Sequence, residues 1–168
     1  MNRGNSTQND KLTSYLKDHM AGSVGAVDML EHLIESHETE PVAQFCRELL
    51  DKVRSDQAQL KAIMDALDVE DGSVRKAGAW LAEKVARAKL KLEGEGDLVQ
   101  GLEALTLGIL GKKLLWRTLS AVQGDWPQLR RFDLVRLEHR ATEQAEQTDQ
   151  QRIAAASRIF GKEDERKG

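Results

Sequence analysis

Residues 12–34 read LTSYLKDHMAGSVGAVDMLEHLI and residues 42–67 read VAQFCRELLDKVRSDQAQLKAIMDAL. In the first stretch Leu12, Leu16, Met20, Val27, Leu30 and Ile34 fall at helical steps. At about 100° of rotation per residue they share one face, and His19 and Ser23 lie inside it. In the second stretch Val42, Phe45, Leu49, Val53, Leu60, Ile63 and Leu67 form the matching stripe, and Asp56 occupies a gap of the same kind. Between the two stands Thr39-Glu40-Pro41, a short turn whose proline suits the first position of a helix. So short a connection makes the two helices antiparallel neighbours. The spacing therefore predicts a helical hairpin with polar residues in the middle of its apolar seam.

Working outward, the same periodicity predicts three more helices. Asp71-Gly72-Ser73 breaks the chain, and Ser73 is placed to cap a helix from Val74 to Leu92. Gly94-Glu95-Gly96-Asp97 follows, with Asp97 as N-cap of a helix from Leu98 to Val122. Gly124-Asp125-Trp126-Pro127 is the next break, and Asp133 caps a helix from Leu134 to Phe160. The 168 residues suit one domain at 10–160, with residues 1–9 and 161–168 expected as flexible tails. The chain is rich in Ala, Leu, Glu, Lys and Gln, all good helix formers, and its two prolines both sit between periodic segments. All-α is the expected class. A lone cysteine, Cys46, excludes an intramolecular disulfide, and no signal-peptide pattern or long apolar run is present. A cytoplasmic, soluble protein is the expectation.

Four long helices with a shorter one between the second and third resemble the ferritin-like superfamily. The likeness is to small bacterial ferritin-like four-helix-bundle proteins of unassigned function. It is carried by Tyr15-Leu16-Lys17-Asp18-His19 at the start of the first helix and by Leu30-Glu31-His32-Leu33-Ile34-Glu35 at its end. The resemblance implies an antiparallel four-helix bundle with an additional helix in the crossover.

A ferritin-like carboxylate site needs a Glu from each of two helices and a Glu-x-x-His from each of the other two. The second helix offers Asp56-Gln57-Ala58-Gln59, with no histidine. The last offers Glu138-His139, where the histidine follows directly and points about 100° away. Glu103 lies opposite the stripe of its helix. The sequence thus predicts no complete di-iron site and no resident cofactor. Asp28, His32 and Glu35 share the polar face of the first helix and are candidates for weak binding of a divalent metal. A solvated acidic face is the alternative.

A buried carboxylate is costly unless paired. Asp56 is therefore expected to pair with Lys112, which sits between Ile109 and Trp116, with His19 or Ser23 within hydrogen-bonding reach of the carboxylate. Glu138 is a further candidate for this buried polar seam. Read functionally, the seam is a repurposed ligand site; read structurally, it is an ion pair that sets register. Cys46 reads as core, and Gly101, Gly108 and Gly111 read as places of close helix contact.

The segment Val74–Leu92 is an amphipathic basic helix by sequence. Arg75, Lys76, Lys84, Arg87, Lys89 and Lys91 oppose only Glu83, with Trp80 on the border of the stripe. Arg75, Lys76, Trp80, Lys84, Arg87 and Lys91 are candidates for contact with an anionic membrane surface or an acidic protein. Packing against the acidic first hairpin is the alternative. The net charge of −3 excludes nothing, but the chain around this helix is acidic, which makes nucleic acid the less expected partner. A homodimer is compatible with the pattern. The expected function is non-enzymatic binding or a stress-associated role. The alternatives are a degenerate metal-binding protein and a bundle that docks through its basic helix.

Overall fold

The computed structural model describes residues 3–69 and 97–162. Among them there are four α-helices and no strand: α1 (Arg3–Ser36), α2 (Pro41–Ala66), α3 (Asp97–Val122) and α4 (Leu134–Phe160). A short 3-10 helix, Pro127–Arg131, joins α3 to α4. The basic segment Val74–Leu92, with Arg75, Lys76, Trp80, Lys84, Arg87 and Lys91, lies outside the described residues.

Two helix starts differ from expectation. α1 begins at Arg3, inside the stretch expected to be a loose tail. Asp97 is the first helical residue of α3, not its cap. Its carboxylate instead reaches His37, with Oδ1 3.2 Å from Nε2. Other ends follow the local chemistry. Pro41 opens α2, where a missing N–H costs nothing. Asp133 accepts from the backbone N–H of Arg136 at 3.0 Å and caps α4. α2 closes with Asp68 in the left-handed region at φ 55°, which lets Val69 N–H donate to Met64 O at 3.0 Å.

Side-chain contacts fix how the helices run. Tyr15 and Thr118 meet at 3.3 Å near one end of the bundle, and His37 meets Asp97 near the other, so α1 and α3 are antiparallel. Arg158 pairs with Glu40 at 2.7 Å and Lys52 donates to Gln147 at 3.1 Å, so α2 and α4 are antiparallel too. With each hairpin antiparallel, α2 and α3 point the same way, and Leu67 and Asp97 sit at opposite ends of the bundle.

The two hairpins bury their stripes in a common core. Leu16, Leu30 and Leu33 of α1 and Leu49 and Ile63 of α2 pack with Leu102, Leu115, Trp116 and Leu119 of α3. α4 contributes Leu134, Leu137, Ala141, Ala145 and Ala155, a stripe of smaller side chains that lets α3 and α4 approach closely. No described helix is long and apolar enough to cross a membrane.

Candidate functional site

Asp56 is the most deeply buried charge among the described residues, 1% exposed at the middle of α2. Its helix carries it inward because position 56 continues the stripe of Val53, Leu60 and Ile63. A carboxylate in that place needs partners, and three converge on it. Lys112 Nζ of α3 donates to Oδ2 at 2.6 Å. Gln144 Nε2 of α4 donates to the same oxygen at 2.9 Å. Arg140 Nη2 lies 3.0 Å from Oδ1 as an ion pair, off the line of a hydrogen bond. The Gln144 side-chain oxygen in turn accepts from Lys112, closing a ring of three groups. Thr148 donates back along its own helix to the Gln144 backbone carbonyl at 2.7 Å.

Two cations thus face one carboxylate. Burial pushes the Lys112 ammonium below the ordinary lysine range, and the adjacent Asp56 charge and hydrogen bond oppose that push. Arg140 is one-third exposed and also donates to Ser55, so part of its charge is solvated.

Beside this network lies a cavity of about 250 Å³ between α1, α2 and α3. Asp56 and Lys112 form part of its wall, with Ile109, Leu115 and Trp116 from α3 and Val53 and Leu60 from α2. Glycines make the space. At Gly22, Gly108 and Gly111 an added Cβ would meet nothing within 4 Å. The expectation of close helix contact fails at Gly108 and Gly111 and holds only at Gly101. There a Cβ would sit 2.9 Å from Leu33 Cδ2. The Trp116 indole is 1% exposed, and its Nε1–H has no acceptor among the described residues.

His19 and Ser23 line the same cavity but do not touch the carboxylate. Ser23 donates to Met20 O at 2.6 Å, back along its own helix, and accepts from Gln57 Nε2 at 2.9 Å. His19 stands edge-on to Tyr15, with ring centroids 4.6 Å apart, and burial holds its pKa below the ordinary value against the pull of Asp18. The expectation that one of them reaches Asp56 is corrected: Gln144 and Arg140 take that role. Both sit on α4, one turn apart, and Gln144 interrupts a stripe of alanines and leucines as Asp56 does in α2. That interruption was the available signal. Glu138 is half-buried on another side of α4 and makes no side-chain contact with the network. Arg152 pairs with Asp149 at 2.8 Å.

The donors do not fit a metal centre. Among the described residues no three His, Cys, Asp or Glu side chains come together as ligands. Of the metal candidates on α1, Glu35 is exposed, Asp28 is half-buried and His32 Nε2 is buried without a partner. In the bundle centre the one carboxylate is already held by Lys112 and Arg140, and a metal cation there would face two like charges. Cys46 is buried, its thiol pushed up to about 11 by desolvation, which leaves little thiolate for chemistry near neutrality.

At the end near the α1–α2 turn, His37 bridges Glu40 at 2.8 Å and Asp97 at 3.2 Å. Hydrogen bonds from His37 and then Arg158 hold the Glu40 carboxyl below the usual carboxylate range. This set ties the hairpins together, and Glu40 and Arg158 border a more open pocket of about 230 Å³ with Pro41, Val42 and Leu98. On the outer face of α3, Leu107, Leu110 and Leu114 are exposed.

Comparisons with models of protein families, with curated proteins and with solved structures return no match to this chain.

Proposed function

We propose that this is a ferritin-like bundle that holds an ion-pair network where a di-metal centre would stand, and that it acts as a non-enzymatic binding protein. Support for the ferritin-like reading comes from helix direction. α2 and α3 run the same way and Leu67 and Asp97 lie at opposite ends, as a bundle with one long crossover requires. The observation that carries the binding role is the cavity of about 250 Å³. It is mostly apolar, it is held open by three glycines, and it is bordered by a rigid polar network. It opens to solvent past Asp18, Gly22 and Gly108, all exposed, so a ligand can reach it. An apolar cavity of ~150 Å³ holds benzene, so this one suits a body of one or two rings. Cys46 lies outside the cavity lining and its thiol is raised, so it offers no nucleophile to a ligand there.

The test is titration of the full chain with naphthalene, read as a saturable shift of the Trp116 indole N–H resonance. Gly108→Leu, which places a side chain in the cavity, should abolish the shift while circular dichroism stays helical. No saturable shift in the unsubstituted protein rejects the reading.

A further inference from the structure

The charges around the cavity say which kind of ligand it takes. Asp56 is the only carboxylate in the network, and both Lys112 and Arg140 face it. Among the described residues the network thus carries one more positive than negative charge. A lysine ammonium has three N–H donors. Lys112 uses one on Asp56 and one on Gln144, and its third has no acceptor among the described residues. Lys112 also borders the cavity, whereas Arg140 stands behind Asp56 and outside the lining. An unused ammonium donor and a network with more positive than negative charge, next to apolar walls, match an anion better than a cation. The one opposing group in the lining is Asp18, which is exposed and so screened by solvent.

We propose that the cavity binds a small organic carboxylate with an apolar body, its head group accepting from the third N–H of Lys112 and its body lying against Leu60, Ile109 and Leu115. This rests on the binding role proposed above and deepens it. In a low-dielectric wall a charge-assisted hydrogen bond is about twice as strong as a neutral one, so the carboxylate is the group that the site selects. Asp56 and Gln144 serve as positioning residues, because they hold the ammonium at the wall and leave one donor free.

The experiment compares 2-naphthoate, its methyl ester and 2-naphthylmethylammonium on the full chain at neutral pH, by calorimetry and by the Trp116 indole N–H resonance. The acid is expected to bind at least ~10-fold more tightly than the ester, and the ammonium more weakly than either. Lys112→Met should reduce the acid to the affinity of the ester and leave the ester unchanged. Asp56→Asn should raise the acid-to-ester ratio, since it removes a negative charge. If either variant fails to fold, the three ligands on the unsubstituted protein still decide. Equal binding of acid and ester, or tighter binding of the ammonium, overturns the carboxylate proposal and leaves the cavity reading intact. Binding of none of the three overturns both.

Discussion

Lys112 Nζ stands 2.6 Å from Asp56 Oδ2, joining the middle of α3 to the middle of α2 across the bundle. Both are helix positions where a leucine would continue the stripe. The pair exists because each hides the other's charge, and Gln144 satisfies both at once. Desolvating two ions is expensive, so the pair specifies how the helices meet more than it stabilises them.

Mutation of this network should be non-additive. Asp56→Ala strands Lys112 and Arg140 together, and removing one partner of a buried pair costs ~3–5 kcal/mol. Lys112→Met should cost less, because Arg140 still faces Asp56 at 3.0 Å. The double variant Asp56→Leu with Lys112→Met should recover most of the loss, since Arg140 is already partly in water and can turn outward. Urea denaturation of the four proteins measures this. Simple addition of the single effects would mean that the residues are not coupled.

Glycine substitutions in α3 should split by position. Gly108→Ala and Gly111→Ala place a methyl in open space, and each should gain ~1 kcal/mol from helix propensity alone. Gly101→Ala drives its methyl to 2.9 Å from the end of the fully buried Leu33 side chain, which must shift against its core neighbours to make room. A loss of ~1–3 kcal/mol is expected there. Midpoints of chemical denaturation distinguish a gain from a loss directly.

Acid should weaken the fold in two steps. The pKa of His19 is lowered by burial, and that of Glu40 by its hydrogen bonds to His37 and Arg158. In both cases the unfolded chain binds protons more readily than the folded one, so stability rises with pH. The His19 contribution is complete above the ordinary value of 6.5 and fades as pH falls through the folded value. The Glu40 contribution is complete above 4.5 and fades below it. Stability should be measured against pH for the unsubstituted protein, His19→Gln and Glu40→Gln. Glu40→Gln should differ from the parent only above its step, where the partners favour the ionised carboxylate, and His19→Gln only below its step, where burial penalises the protonated imidazole; the opposite pattern for either would reverse the sign.

Cys46 should resist alkylation in the native state. A thiol raised to about 11 holds ~100-fold less thiolate near pH 8 than an ordinary one. Iodoacetamide should therefore label it slowly in buffer and rapidly in urea. Equal rates would place the thiol at the surface.

The periodicity alone determined the four long helices and the antiparallel first hairpin. It also marked Asp56 and Lys112 as polar residues in apolar stripes, because a stripe repeats locally and any charge within it stands out. Helix ends were legible where a single residue decides them, as at Pro41 and Asp133. They were not where a longer-range contact competes, as when Asp97 leaves the cap for His37. Only the tertiary structure decided who meets Asp56 besides Lys112. His19 and Ser23 share the right face of α1, but face alone sets no depth, and Ser23 bonds its own helix while His19 turns to Tyr15. Gln144 and Arg140 come from α4, whose rotation against α2 depends on every side chain packed between them. Gly108 and Gly111 show the same limit. A glycine in a helix permits a neighbour to come close or leaves a space, and which of these occurs is settled by where the facing helix lies.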